Sequence, residues 1–284
     1  MIRTFATFVV LAASVFILTA CHHFRANIHG AQASLTPVEG DHDHGRTAVS
    51  ELNVAMPIAP GKTVAWQQAL ADLVGPRYTE YEASRRRYGL TSQTTFLQKT
   101  RMGDFAVIHL TGPDVHKSLH AMSESMDPWD VSWRELTLNL HGVDFAKGVK
   151  VFPKIEPLFS MDSGNITNTR PFMFVAPVTP QGGLALRTMA SELMGKRHAE
   201  YQAARVRIGV QRESVFLQSS EAGDAVVFYW LAADPQTSLK RLMASTSVFD
   251  EWLRAAAREA HPIVLEVLLG TVRENTLVAD YPRR

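Results

Sequence analysis

Apolar positions come first as one long run and afterwards as short groups spaced by polar residues. Phe5 to Ala20 is apolar almost throughout, and the stretch from His22 to Ser50 is polar and irregular, with Gly30, Pro37 and Gly40. A short apolar run then reads as a strand, Leu52 to Ile58, ended by Pro60. Helical spacing follows, broken in this part of the chain by Gly75-Pro76, because proline removes a backbone donor. Alternating positions over Thr94–Gln98 and Phe105–Leu110 predict a hairpin around Gly103-Asp104. A second helical region runs from Asp114 to His141, interrupted near Pro128, and an extended piece from Lys150 to Phe159 closes the set.

The same order then starts again. Arg77, Glu80, Tyr81, Arg85 and Gly89 recur 120 residues on as Arg197, Glu200, Tyr201, Arg205 and Gly209. That shift also carries Phe96-Leu97-Gln98 onto Phe216-Leu217-Gln218, Asp130 onto Asp250 and His141 onto His261. A register held without a gap points to an internal repeat. The second copy predicts a strand over Phe172–Val178, one helix continuing to about Ile208 and stopped by Gly209, and a hairpin over Val215–Gln218 and Ala225–Leu231. It ends with a helical region from Asp234 to His261, interrupted near Val248, and a closing piece at Ile263–Leu269. The expected domains are a signal segment over 1–20, a tether over 21–50, and repeats over 51–160 and 171–270.

The order β-α-β-β-α with a closing strand is the ferredoxin-like pattern, an α+β fold. Two copies that cover each other's open sheet faces resemble the dimeric α/β-barrel superfamily, with the dimer fused into one chain. The segments Glu80–Gly89, Phe96-Leu97-Gln98, Gly103-Asp104 and Asp127-Pro128-Trp129-Asp130 resemble a small bacterial family of unknown function within it. The second copy departs from that pattern: Ala204 replaces the serine, and Ser247-Val248-Phe249-Asp250 replaces the Asp-Pro-Trp-Asp run.

The leading apolar run gains meaning from what flanks it. Arg3 precedes it, and Leu18-Thr19-Ala20-Cys21 resembles a bacterial lipobox, which implies acylation of Cys21 and a membrane partner through a lipid anchor. His22 after the cysteine points to an outer-membrane address facing the periplasm. Cys21 is the single cysteine, so no internal disulfide is expected. The formal charge is +1, and falls to zero if Arg3 leaves with the signal, a balance that argues against a nucleic-acid partner.

Candidate chemistry is sparse. No zinc-protease, nucleophile-elbow, phosphate-loop or Cys-x-x-Cys motif occurs, and no cofactor, metal or catalytic residue is assigned. Arg77, Tyr81 and Arg85 share a helix stripe, as do Arg197, Tyr201 and Arg205. They read either as an anion-holding set or as an Arg–Glu network that pins the helix. Gln98, His109, Gln218 and Tyr229 occupy matching strand positions and are candidates to line an interior cavity. His116 and His120 read as surface residues, and Asp41–His44 as a solvated linker. His141 and His261 read as helix-end histidines, with haem ligation left open because some members of the superfamily bind haem. The leading expectation is a non-enzymatic lipoprotein that binds a small ligand or an envelope protein. The alternative is an enzyme of the superfamily, oxygenase- or isomerase-like, with His109 as acid or base.

Overall fold

The structure, a computed structural model, describes residues 50–101, 103–147, 153–164, 166–220, 223–261 and 272–282. The signal segment, Cys21, the Asp41–His44 cluster and the closing piece expected at Ile263–Leu269 lie outside the described residues.

Each half supplies a strand, two helices, a hairpin and two more helices. In the first half these are β1 (Ser50–Pro57), α1 (Thr63–Val74), α2 (Tyr78–Arg87), β2 (Ser92–Thr100), β3 (Asp104–Gly112), α3 (Val115–Glu124) and α4 (Pro128–His141). After β4 (Lys154–Asp162) the second half runs β5 (Arg170–Val178), α5 (Gly182–Met194), α6 (His198–Ile208), β6 (Val210–Ser220), β7 (Gly223–Ala232), α7 (Pro235–Ala244) and α8 (Val248–Ala260), and β8 (Val272–Tyr281) follows. Asp127 caps α4 by accepting from the Trp129 amide, and Ser247 caps α8 by accepting from that of Asp250. The helix expected to run unbroken to Ile208 is in fact two. It breaks at Gly195 without a proline, where an added Cβ would lie 2.9 Å from the Ser191 carbonyl oxygen.

The strands form two antiparallel four-stranded sheets, ordered β1-β3-β2-β8 and β4-β6-β7-β5. Each closing strand has crossed over: β4, which follows the first half's helices, pairs with β6, and β8, which follows the second half's, pairs with β2. The sheets pack face to face and stay open, and no strand pairing joins them among the described residues. The fold is thus α+β, two ferredoxin-like units in the pseudo-dimeric arrangement without closure of the barrel.

Strand alternation divides the core into layers. Phe96 and Val107 from the first sheet meet Met173, Val175, Val227 and Tyr229 of the second between the sheets. The opposite faces carry the helices. Leu97 and Ala106 pack with Trp66, Leu70 and Leu73 of α1, and Leu217 and Val226 join Leu186, Met189 and Leu193 of α5. Full burial of such side chains contributes roughly 1.5–3 kcal/mol apiece.

Two glutamines tie the halves together. The Gln98 side chain accepts from the Val175 amide and donates to its carbonyl, both at 2.9 Å. Gln218 does the same to Ala55, at 2.9 and 2.8 Å. Val175 and Ala55 lie on β5 and β1, the outer strands of their sheets, so each amide satisfies a strand edge that would otherwise be unpaired.

Candidate functional site

The two halves differ most behind the first hairpin strand. In the second half, Tyr201 and Arg205 of α6 face β6, and Glu213 points back at them. The Glu213 carboxylate accepts from Tyr201 Oη at 2.7 Å, from Trp230 Nε1 at 2.7 Å and from Arg205 Nε. All four side chains are buried. Burial pulls the Arg205 guanidinium down, but the Glu213 carboxylate more than offsets it and its pKa ends up raised. Burial and the Glu213 charge push the Tyr201 hydroxyl well above its ordinary value.

In the first half the arginine and tyrosine remain and the carboxylate is gone. Position 93, the counterpart of 213, is glutamine, and position 110, the counterpart of Trp230, is leucine. Arg85 is only 2% exposed, and no described carboxylate pairs with it. Its guanidinium lies over Tyr81 at 4.8 Å and beside Trp133 at 5.7 Å, with Nη1 3.3 Å from the weak acceptor Met122 Sδ. Arg85 Nε and Tyr81 Oη are buried without a hydrogen-bond partner. Burial raises the Tyr81 pKa against the opposing charge of Arg85. The Gln93 amide instead reaches Thr95 Oγ1, at 3.3 Å.

Arg85 and Gln93 open onto a cavity of about 750 Å³ between the first sheet and helices α3 and α4. Its walls are largely apolar: Leu52 and Val54 of β1, Ile108 and Leu110 of β3, Leu119 and Met122 of α3, and Trp133 of α4. Four of these positions are enlarged in the second half, where Leu52, Val54, Ile108 and Leu110 become Phe172, Phe174, Phe228 and Trp230. Those aromatic side chains pack in or against the helix-facing core of that half. The cavity therefore exists because the first half keeps small aliphatic walls on the same scaffold. Arg134 also lines it, but its guanidinium is committed to the Met122 and Ser125 carbonyls, as Arg254 is to those of Leu242 and Ser245.

The sequence candidates fall in several places. Gln98, His109, Gln218 and Tyr229 all reach the space between the sheets. Both glutamine amides there are used by strand edges, and His109 stacks on Tyr229 with ring centroids 3.7 Å apart. His109 Nδ1 is 2.7 Å from Asn53 Oδ1, and Asn53 in turn donates to the Ser214 carbonyl and hydroxyl at 3.1 Å. Of these four, Gln218 also borders the sheet–helix cavity. Arg77 pairs with Glu80 and covers Trp129, and Arg197 pairs with Glu200 and covers Trp252. Tyr81 stands beside Arg85, and Tyr201 beside Arg205.

His141 has both ring nitrogens engaged. Nε2 accepts from Trp66 Nε1 at 3.0 Å, and Nδ1 donates to the Pro57 carbonyl at 2.9 Å, so neither is free for a haem iron. His120 lies 3.3 Å from Glu124, and among the described residues no group of three or more metal-binding side chains forms. No described helix is long and apolar enough to cross a membrane. Arg85 was visible in the helix stripe but stood outside the candidate site, and Gln93 was missed. The signal for both was the change from glutamine to glutamate between matched positions.

No protein-family model and no curated protein sequence matches the chain. Among solved structures, it matches a protein assigned as a monooxygenase from Fusobacterium nucleatum, at 11% identity over 82% of this chain and 93% of that one, with a TM-score of 0.38. An anthrone oxidase-like protein matches at 14% identity over 82% and 90%, with a TM-score of 0.39. A protein assigned as a monooxygenase from Lactobacillus acidophilus matches at 9% identity over 81% and 93%, with a TM-score of 0.28. These neighbours carry enzyme assignments, which run against the expectation of a non-enzymatic binding protein.

Proposed function

We propose that the chain is an enzyme of the oxygenase- or isomerase-like kind, acting on a small, mostly apolar substrate in the sheet–helix cavity of the first half. The observation that carries this reading is the difference between the halves. One scaffold is filled with Phe172, Phe174, Phe228 and Trp230 on one side and left open by smaller residues on the other. A cavity of this size with apolar walls and few polar groups is the usual form of a small-molecule site. Arg85 supports a catalytic use of it. A fixed positive charge held in a dry, low-dielectric pocket stabilises negative charge that develops on a bound molecule, and needs no rearrangement to do so.

This proposal moves the working site from the sheet–sheet space around His109 to the sheet–helix space around Arg85. Gln218 remains on its border, and Tyr81 stands beside Arg85. The lipobox-like segment ending at Cys21 supports a further proposal, that the enzyme is held at the cell envelope by a lipid anchor. Loss of membrane attachment in Cys21→Ser is the expected outcome, and unchanged attachment and mass would remove the anchor.

The cavity assignment is tested by copying the second half's solution. Leu110→Trp puts the counterpart of Trp230 into the first half. With a panel of enolisable and phenolic aromatic compounds, the wild-type chain should consume oxygen with, or isomerise, at least one member. Leu110→Trp should lose that turnover by about a hundredfold or more, since positioning errors alone reach that size. Full turnover in a Leu110→Trp chain with an unchanged circular dichroism spectrum would remove the cavity as the site, and no turnover of any member by the wild type would count against the enzyme reading.

A further inference from the structure

We propose, taking the sheet–helix cavity as the working site, that its ligand carries a carboxylate, and that this carboxylate occupies the place Glu213 fills in the second half. The second half shows what the scaffold does with this corner when the protein supplies the anion. Three donor side chains converge on Glu213: Tyr201 through Oη, Arg205 through Nε and Nη2, and Trp230 through Nε1. The first half keeps two of the three, Tyr81 Oη and Arg85 Nε, and both are buried without a partner. The third donor is removed by Leu110, and that same change opens the cavity to the guanidinium.

A buried guanidinium with no described counter-charge is costly, because burial removes its water and only two aromatic rings and the weak acceptor Met122 Sδ take its place. Gln93 does not supply the missing charge, and its amide is turned toward Thr95. The ligand's class follows from what the cavity can satisfy. Arg134, the other cavity-lining arginine, is committed to backbone carbonyls, which leaves the Arg85 guanidinium as the cationic group on the wall, with Tyr81 beside it. That set matches a singly charged, planar carboxylate better than a dianionic phosphate, which would bring more acceptors and more charge than the corner can meet. The remaining walls, Leu52, Val54, Ile108 and Met122, ask for an apolar body. The occupant is therefore a small apolar monocarboxylic acid.

The test uses the full chain, with 2-naphthoate and its uncharged analogue 2-naphthamide as probes in equilibrium titrations. Wild type should bind the naphthoate about tenfold or more tightly than the naphthamide, the factor expected for hydrogen bonds to a charged group. Gln93→Glu supplies the carboxylate from the protein. It should lose the naphthoate by a similar factor and with it the preference over the naphthamide, and melt at a higher temperature than wild type. Arg85→Gln should remove the preference for the naphthoate without the gain in melting temperature. Equal affinities of wild type for the two probes, or undiminished naphthoate binding by Gln93→Glu, would overturn the charge assignment. With naphthamide still bound, and lost in Leu110→Trp, the cavity itself would stand. Binding of neither probe by wild type would overturn both. A Gln93→Glu chain that fails to fold would also overturn the inference, since it requires room for a carboxylate at this corner.

Discussion

Arg205 tolerates its burial because Glu213 shares it, and the pair is further held by Tyr201 and Trp230. Removing one partner of such a pair leaves an uncompensated charge, which costs about 3–5 kcal/mol. Glu213→Gln makes the second half electrostatically like the first but without the cavity. It should lower stability by roughly that amount, measured as a shift of the urea midpoint, and an unchanged midpoint would show that Arg205 does not depend on Glu213. The same comparison explains what the sequence displayed and what it hid at this scale. Matching residues 120 apart were easy to read, and they put Tyr81 and Arg85 on one helix stripe and made Gln98 and Gln218 candidates for the space between the sheets. The working difference lay in residues that do not match, such as Gln93 and Glu213. It takes on meaning only when the facing helix is known to carry an arginine at that depth.

At the level of elements, the break after each first helix was half legible. Gly75-Pro76 announces it, whereas Gly195 breaks the second helix through a backbone turn that crowds the Ser191 carbonyl. Helix ends also carry the pH response. His141 at the end of α4 is neutral in one tautomer, with Trp66 donating to one nitrogen and Pro57 accepting from the other. Burial lowers the pKa of both His141 and His261, against the opposing effect of the carbonyls of Pro57 and Pro177. Their contribution to stability is therefore full above the unfolded value, near 6.5, and is lost as pH falls toward the lower folded values. Asp130 and Asp250 add a second, more acidic step. Burial opposes their ionisation, but hydrogen bonds from Tyr88, Ser125 and Ser84 to Asp130, and from Ser245, Arg207 and Ser247 to Asp250, keep both pKa values below the ordinary range. The urea midpoint should thus fall below about pH 6.5 and again below about pH 4. A midpoint that stays level from pH 7 to pH 5 would contradict the histidine assignment.

Across the whole molecule, hydrophobic periodicity identified strands and helices but not which strands would pair. The hairpins were legible because their partners are neighbours in sequence. The exchange of β4 and β8 was not, since alternation along a strand says which face is buried and nothing about whose edge it meets. Nor does alternation say whether two facing sheets close into a barrel, and these remain open, joined by Gln98 and Gln218 in place of a strand ladder. Deleting residues 272–282 removes β8 and bares the edge of β2, a ready template for pairing with another chain. Size-exclusion chromatography of that deletion should show dimers or larger species, and a monomer with native circular dichroism would mean that β8 is dispensable.

The crossed strands set an order of events as well as a topology. During synthesis, β1, β2 and β3 emerge with α1 to α4 long before Val272–Tyr281 exists, so the half that holds the cavity waits as a three-stranded sheet while the other half is made. Phe96 meets Leu277 only after almost the entire described chain has left the ribosome. Contacts so distant in sequence form slowly, because the loop they close must be ordered first. The sheet behind the cavity is then completed by residues made long after the β1 and β3 walls, and a nascent chain cannot present all four of its strands until Val272–Tyr281 has emerged.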